Sequence, residues 1–224
     1  LNPNVIEDRT RNVIKYLLWK NHGISTPENT LINHVVSFAF LTKMFFDEVV
    51  ALNTNGHGII GHFHEWMAGL PILDMKKEGM PVKTIFTTHA TQLGRHLAIN
   101  SPTFYAHLPF FRPDNEAKKF GVEAEAGIEY ACANQAHLLT TVSEVTAREC
   151  KHLLKRKPEL VLPNGLNIER FEALHEFQNF HVRNKEEIHQ FVMGHFFQSY
   201  AFDLDKTLYF FTSGRYEYRN KGFD

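Results

Sequence analysis

The stretch Val82-Lys-Thr-Ile-Phe-Thr-Thr-His-Ala-Thr-Gln-Leu-Gly-Arg95 contains the pattern that sets the fold of this chain. Residues 82–88 form a short apolar run, which predicts a buried β-strand. A polar cluster follows at Thr88-His89, and residues 89–95 then have the pattern of a helix. A buried strand that leads directly into a helix is the unit from which parallel sheets are built.

The same unit recurs along the chain. Short buried strands that alternate with helices predict an α/β fold, here a Rossmann-like, doubly wound parallel sheet with right-handed crossovers. Ser143 is a good N-cap for a helix that reaches about Lys155. The other predicted strands are Ile59–His64, His137–Val142, a short strand that starts at Leu160, and Leu208–Thr212.

Residues 171–203 interrupt this alternation. Two segments in this range, residues 171–180 and 185–197, have apolar side chains at helical spacing. We therefore predict two domains, one over residues 1–205 and a second that begins with the strand at 208–212 and covers residues 206–224. Because a strand this apolar needs a sheet, we expect the 224 residues to be a fragment.

Composition excludes several classes of protein. A hydrophobic content of 43% with 22% charged residues is ordinary for a globular domain, and a net charge of −1 gives no electrostatic reason to expect nucleic acid or an anionic membrane as partner. The apolar region Val35–Leu52 contains Lys43, Asp47 and Glu48, which favours an amphipathic core helix over a membrane span. Two cysteines cannot form a disulfide framework, so a reducing cytoplasm is expected.

Polar side chains follow each predicted strand. In a parallel α/β sheet, ligands bind in the crevice beyond the carboxyl ends of the strands. We therefore expect these residues to line one edge of the sheet. They are the pairs His64/Glu65, Thr88/His89, Thr141/Ser143 and Asn164/Gly165.

Four residues near these strand ends, His62, His64, His89 and Asn164, have more than one interpretation. His62-x-His64, with His89 as a third ligand, could hold a metal ion, although no carboxylate–histidine pattern completes such a site. The alternative is that these histidines pack or hydrogen-bond at the sheet edge. His89 could donate to a sugar hydroxyl or cap the following helix, and Asn164 could contact a ligand or only form a Pro-Asn-Gly turn.

Arg215 and Lys221 form a spaced pair of cations after the last predicted strand. Gly214 and Gly222 beside them permit close approach of the backbone. An arginine fork and a lysine suit a diphosphate and need no metal. The chain has neither a Walker loop nor a G-x-G-x-x-G or G-x-S-x-G motif, which disfavours kinase, dinucleotide-binding and serine hydrolase functions.

Together these segments resemble the glycogen synthases of animals and fungi. The resemblance covers roughly residues 55 to 224, and its motifs occur in the family's order. The motifs are His62–Gly69, Thr84–Arg95, Thr140–Ser143, His152–Pro158, Pro163–Asn167, His175–Asn179 and Gly214–Gly222.

The resemblance implies the two-domain glycosyltransferase B architecture, of which this chain is the N-terminal half. It implies transfer of glucose from UDP-glucose to the non-reducing end of glycogen, with retention and α-1,4 linkage, and no metal requirement. It further implies a glycogenin-like primer protein, a homo-oligomer and a fragment that is inactive alone. Two other functions remain open: a related transferase that uses another sugar nucleotide such as ADP-glucose, and a non-catalytic glycogen-binding homologue.

The resemblance also assigns roles to individual residues. His89 contacts the donor glucose and supports an oxocarbenium-like transition state. The remaining assignments are Arg95 and Asn164 in the glucose and phosphate pocket, Arg215 and Lys221 on the diphosphate, and Glu65 and Trp66 near the cleft on the acceptor side.

Overall fold

The computed structural model describes residues 1–171, 174–197 and 201–215. They form two compact units, the first Leu1–Pro163 and the second beginning at Asn164. The strands of the first unit are β1 (Ile59–His64), β2 (Val82–Thr88), β3 (Leu138–Thr141) and β4 (Leu160–Val161). Its helices are α1 (Asp8–His22), α2 (Thr30–Leu52), α3 (Glu65–Gly69), α4 (Pro71–Lys77), α5 (Gln92–Asn100), α6 (Phe104–His107), α7 (Pro113–Phe120), α8 (Glu123–Gln135) and α9 (Glu144–Glu149).

The four strands form one parallel sheet in the order β1-β2-β3-β4. The Rossmann-like α/β fold predicted from the sequence is thereby confirmed, as are the four strands of this unit. The register sets His64 beside Thr87 and Thr88 beside Thr141. The carboxyl ends of β1, β2 and β3 therefore lie along one edge, here called the carboxyl edge.

The core lies on one face of this sheet. Phe63, Phe86 and Leu139 are paired across the strands and are buried against helices α3, α4 and α8. A Cβ on Gly69 of α3 would lie 2.7 Å from Phe86, so this glycine allows α3 to lie directly on β2.

The opposite face of the sheet carries exposed side chains, among them Ile60, which is 64% exposed, and His62. The strand order explains this difference. Right-handed crossovers between strands in sequential order place their helices on the same face. The second layer of helices that a doubly wound sheet requires stays a prediction.

The predicted helix after β3 is confirmed, with a change of geometry inside it. The Ser143 hydroxyl accepts from the Thr146 amide at 3.1 Å and caps α9. The helix then continues as a π-helical turn, Cys150–Leu154, and ends at Lys155 in the left-handed conformation. Its buried side chains, Cys150, Leu153 and Leu154, fix this turn against the core.

Helix α2 confirms the amphipathic interpretation of residues 35–52. Val35, Val36 and Ala39 are buried in the core, whereas Lys43 bridges Asp47 at 2.9 Å and Glu78 at 2.6 Å. Across the described part of the chain, no helix has the length and apolar character that spanning a membrane requires.

The second unit contains a 3₁₀ turn, Ile168–Phe171, and one long helix, α10 (Leu174–Phe196), where the sequence predicts two helical segments. The predicted strand at Leu208–Thr212 is wrong: these residues are irregular, and Phe210 and Phe211 are 90% and 87% exposed. A strand needs a neighbour to take its backbone hydrogen bonds, and the described residues supply none here. The predicted domain boundary near Asp205 stays a prediction.

Candidate active site at the carboxyl edge

His89 lies in the loop that joins β2 to α5, residues 88–92, here called the His89 loop. Its side chain is half-buried, and its Nε2 lies 3.1 Å from Nδ1 of His64 at the end of β1. The His62 ring also contacts the His64 ring, with ring centroids 4.2 Å apart and the ring planes tilted by 34°. If His64 is the donor, Nδ1 of a neutral His89 carries the hydrogen and can donate to a hydroxyl of a bound sugar.

His62 is tied to the sheet by a chain of hydrogen bonds. Its Nε2 lies 2.7 Å from the Thr87 hydroxyl, which in turn lies 2.5 Å from the Thr140 hydroxyl. Burial and the neighbouring His64 lower the pKa of His62, so the neutral ring is favoured. A neutral, anchored His62 gives the His64 ring a fixed neighbour.

Glu65 holds the loop from the first turn of α3. One of its carboxylate oxygens accepts from the His89 amide at 2.8 Å. Glu65 has φ +65°, a left-handed conformation that is uncommon outside glycine. Such strained residues concentrate at functional sites, and here the strand-to-helix turn brings the carboxylate to the neighbouring loop.

Glu129 holds the same loop from α8. Its side chain is 1% exposed; one oxygen lies 3.1 Å from the Thr88 hydroxyl and the other accepts from the Gln92 amide at 2.8 Å. Burial, with smaller contributions from Glu65 and Glu149, raises the pKa of Glu129 to about 8.

Glu149 is the third carboxylate, at the end of α9. It accepts from the Thr91 hydroxyl at 2.7 Å and from the Tyr105 hydroxyl at 2.9 Å. Burial raises the pKa of Glu149, and burial together with the nearby carboxylate raises the pKa of Tyr105 to about 12. Thr91 also accepts from the Gly94 amide at 3.0 Å, so Thr91, and not His89, caps α5.

Two further threonines attach the loop to the third strand and its helix. The Thr141 hydroxyl donates to the Thr88 carbonyl at 2.8 Å, and the Thr146 hydroxyl donates to the His89 carbonyl at 3.4 Å. The sequence-based expectation that residues after β1, β2 and β3 meet at one edge is therefore confirmed. The arrangement presents one imidazole on a backbone that is held from several sides.

A protein-family model described as glycogen synthase matches residues 7–224. The chain belongs to the glycogen synthase family. It is 47% identical to a glycogen [starch] synthase of Neurospora crassa over 99% of its length, 50% identical to isoform 2 of Saccharomyces cerevisiae over 92%, and 44% identical to the human liver glycogen [starch] synthase over 92%. It spans only 32%, 30% and 29% of the length of these three relatives, respectively.

Of the residues predicted for a glycogen synthase site, the structure brings His89 and Glu65 together. Arg95 is exposed in the first turns of α5, six residues after His89. Its positive charge partly opposes the rise in the pKa of Glu149 that burial causes. Trp66 is 5% exposed and packs in the core cluster with Phe63 and Leu70, so its side chain supports the fold behind the edge.

The remaining predicted residues belong to other parts of the chain. Asn164 and Arg215 are exposed and belong to the second unit, whereas the carboxyl edge belongs to the first. Lys221 lies outside the described residues. Within the described ranges, no group of three or more His, Cys, Asp or Glu side chains is arranged to hold a metal ion, and this includes the three histidines.

The sequence interpretation missed Glu129, Glu149 and Thr91. A signal was available for the first two. Glu129 has the helical spacing of the buried Cys132 and Ala133, and Glu149 that of the buried Thr146 and Leu153. An acidic residue on the apolar stripe of a helix is either paired or functional.

A separate cavity of about 600 Å³ lies among α5, α7, α8 and the π-helical turn. Leu93, Ala117, Gly127 and Tyr130 are among its lining residues, and neither His64 nor His89 lines it. Glu129 lines it too, and the same carboxyl group accepts from the Gln92 amide of the His89 loop.

Proposed function

We propose that the complete gene product transfers glucose from UDP-glucose to the non-reducing end of glycogen, with retention and formation of α-1,4 linkages. One observation carries the proposal: a chain of this family presents His89 at the carboxyl edge of a parallel sheet, on a loop held by three carboxylates. Ligands of such sheets bind beyond this edge.

In this proposal His89 donates a hydrogen bond to the donor glucose and stabilises the charge that develops in an oxocarbenium-like transition state. Arg95 and Asn164 line the glucose and phosphate pocket. Arg215 and Lys221 hold the diphosphate and neutralise the charge that builds up as UDP departs, which removes the need for a metal ion. Glu65 acts through its hydrogen bond to the His89 loop, and Trp66 acts by packing in the core next to the carboxyl edge.

The proposal includes glycogen as acceptor, a glycogenin-like primer protein and a homo-oligomeric enzyme in the cytoplasm. The location is supported by Cys132 and Cys150, which are both buried free thiols. The oligomer and the primer protein are supported only by the family resemblance.

The test is an assay of glucose transfer to glycogen by the complete gene product, with UDP-glucose and ADP-glucose supplied separately. We expect transfer from UDP-glucose, undiminished by a chelator, and a loss of about 10²–10³-fold in kcat for His89→Ala, the size expected when a transition-state hydrogen-bond donor is removed. His57→Ala, which changes an exposed histidine before β1, is the matched control and should leave kcat unchanged.

Two outcomes support the other candidates. Preferential transfer from ADP-glucose identifies a related transferase with another donor. If neither donor supports transfer by a folded protein that still binds glycogen, the family site serves binding alone, and the proposed activity is wrong.

A further inference from the structure

The His89 loop is held by three carboxylates from three different helices. Glu65 of α3 binds the His89 amide, and Glu149 of α9 binds the Thr91 hydroxyl. Glu129 of α8 binds both ends of the loop, Thr88 and Gln92. Glu129 is the most deeply buried of the three, and the proposed chemistry gives it no role.

The hydrogen bonds around Glu129 are complete when its carboxyl group is protonated. The Thr88 hydroxyl lies 3.1 Å from Glu129 Oε1 and 3.3 Å from the Ala90 carbonyl oxygen, but it has only one hydrogen to give. If Oε1–H donates to Thr88, the Thr88 hydrogen goes to Ala90, and Oε2 still accepts from the Gln92 amide at 2.8 Å. The hydrogens of Glu129, Thr88 and the Gln92 amide then each have an acceptor of their own.

The charges that face Glu129 also favour the neutral acid. Glu65 on α3 and Glu149 on α9 both raise its pKa, in addition to the dominant effect of burial. The Cys132 thiol on its own helix and the Cys150 thiol on the π-helical turn are buried, and burial raises the pKa of each, so neither carries charge at neutral pH. Hydrogen bonds from the Gln92 amide and from the Thr88 hydroxyl oppose this effect and lower the pKa of Glu129, but burial outweighs them. The charge of Arg95 on α5 lowers the pKa of Glu149.

We propose that Glu129 is a positioning residue that holds the His89 loop as a neutral acid, and that its ionisation loosens the loop at Ala90 and His89. An ionised Glu129 accepts the only hydrogen of Thr88, which removes the bond to Ala90 beside His89, and it places a negative charge near the carboxyl groups of Glu65 and Glu149. The catalytic part of this inference rests on the proposed function, whereas the control of the loop does not.

Hydrogen exchange of the loop amides tests the inference without any assay of activity. In the complete gene product, after correction for the intrinsic effect of pH, we expect protection of the His89 amide to fall as the pH rises through about 8, while the Gln92 amide, which donates to Glu129 in both protonation states, stays protected. In Glu129→Gln the amide oxygen still accepts from Gln92 and the NH₂ group donates to Thr88, so protection should stay constant. In Glu129→Ala, the Gln92 amide should be unprotected at every pH.

A kinetic readout links the loop to the reaction. We expect Glu129→Gln to retain kcat at neutral pH and to lose the decline of kcat above about pH 8, with KM little changed. Glu123→Gln, on an exposed position of the same helix, is the matched control and should keep the wild-type profile.

A wild-type exchange profile that is flat across this pH range overturns the inference, even if no variant folds. It is overturned equally if Glu129→Gln keeps the wild-type pH dependence of exchange or if Glu129→Ala keeps full protection. If the wild-type enzyme transfers no glucose, the proposed function is wrong, and the exchange data still decide whether Glu129 controls the loop.

Discussion

The substitution Gly94→Ala tests how tightly the loop and helix α5 are packed on Glu149. A Cβ at position 94 would overlap the Glu149 carboxylate oxygen and the Thr91 hydroxyl, and it would lie 2.8 Å from the carboxyl carbon of Glu149. Glu149 cannot easily move away, because it is 6% exposed and is held by Thr91 at 2.7 Å and by Tyr105 at 2.9 Å.

The expected loss of stability follows from three effects. Forcing extra volume into a packed site destabilises by about 1–3 kcal/mol. Displacing Glu149 leaves buried polar groups unpaired, which costs about 1–3 kcal/mol. Alanine in a helix gains about 1 kcal/mol over glycine. The free energy of unfolding of Gly94→Ala should therefore fall by about 3 kcal/mol.

Urea unfolding of the purified protein measures this change, and Gly127→Ala provides the matched control. Gly127 is also helical, and a Cβ there would have no atom within 4 Å, so only the gain of up to about 1 kcal/mol from helix propensity applies. The reasoning is refuted if Gly94→Ala is as stable as Gly127→Ala. Gly94 lies next to Arg95, and its amide donates to the capping hydroxyl of Thr91. We therefore also expect a lower kcat for Gly94→Ala but not for Gly127→Ala.

Three further predictions use the same unfolding assay. Trp66→Ala should lower the free energy of unfolding by about 3–5 kcal/mol, because the side chain is 5% exposed in the core; a small change would place it outside the core. Ser143→Ala removes the cap on the Thr146 amide and should cost about 1 kcal/mol, and an unchanged stability would mean that the cap contributes nothing. Burial raises the pKa of Glu129 from its ordinary 4.5 to about 8, so its contribution is present below about pH 4.5 and is lost as the pH rises towards about 8, by up to about 1.4 kcal/mol per pH unit. Glu129→Gln should have a shallower decline, and equal slopes would contradict the assigned protonation.

Local patterns predicted the first unit well because its strands are short, apolar and bounded by polar clusters. The four predicted strands occur within a residue or two of their expected limits, and Ser143 caps its helix as predicted. The same pattern at Leu208–Thr212 predicts a strand that the structure does not contain. Apolar character makes a strand favourable only when a neighbouring strand completes its hydrogen bonds, and the sequence of the segment does not supply that neighbour.

The sequence by itself determined the alternation of strand and helix, and with it the parallel sheet that brings the residues after β1, β2 and β3 to one edge. Only the tertiary structure decided which side chains hold His89. The contacts from Glu65 to His89, Glu129 to Gln92 and Glu149 to Thr91 join residues 24, 37 and 58 positions apart. Whether such a glutamate is a solvated surface charge or a buried acid depends on the packing of several helices, because burial and hydrogen bonds together set its pKa and its partners.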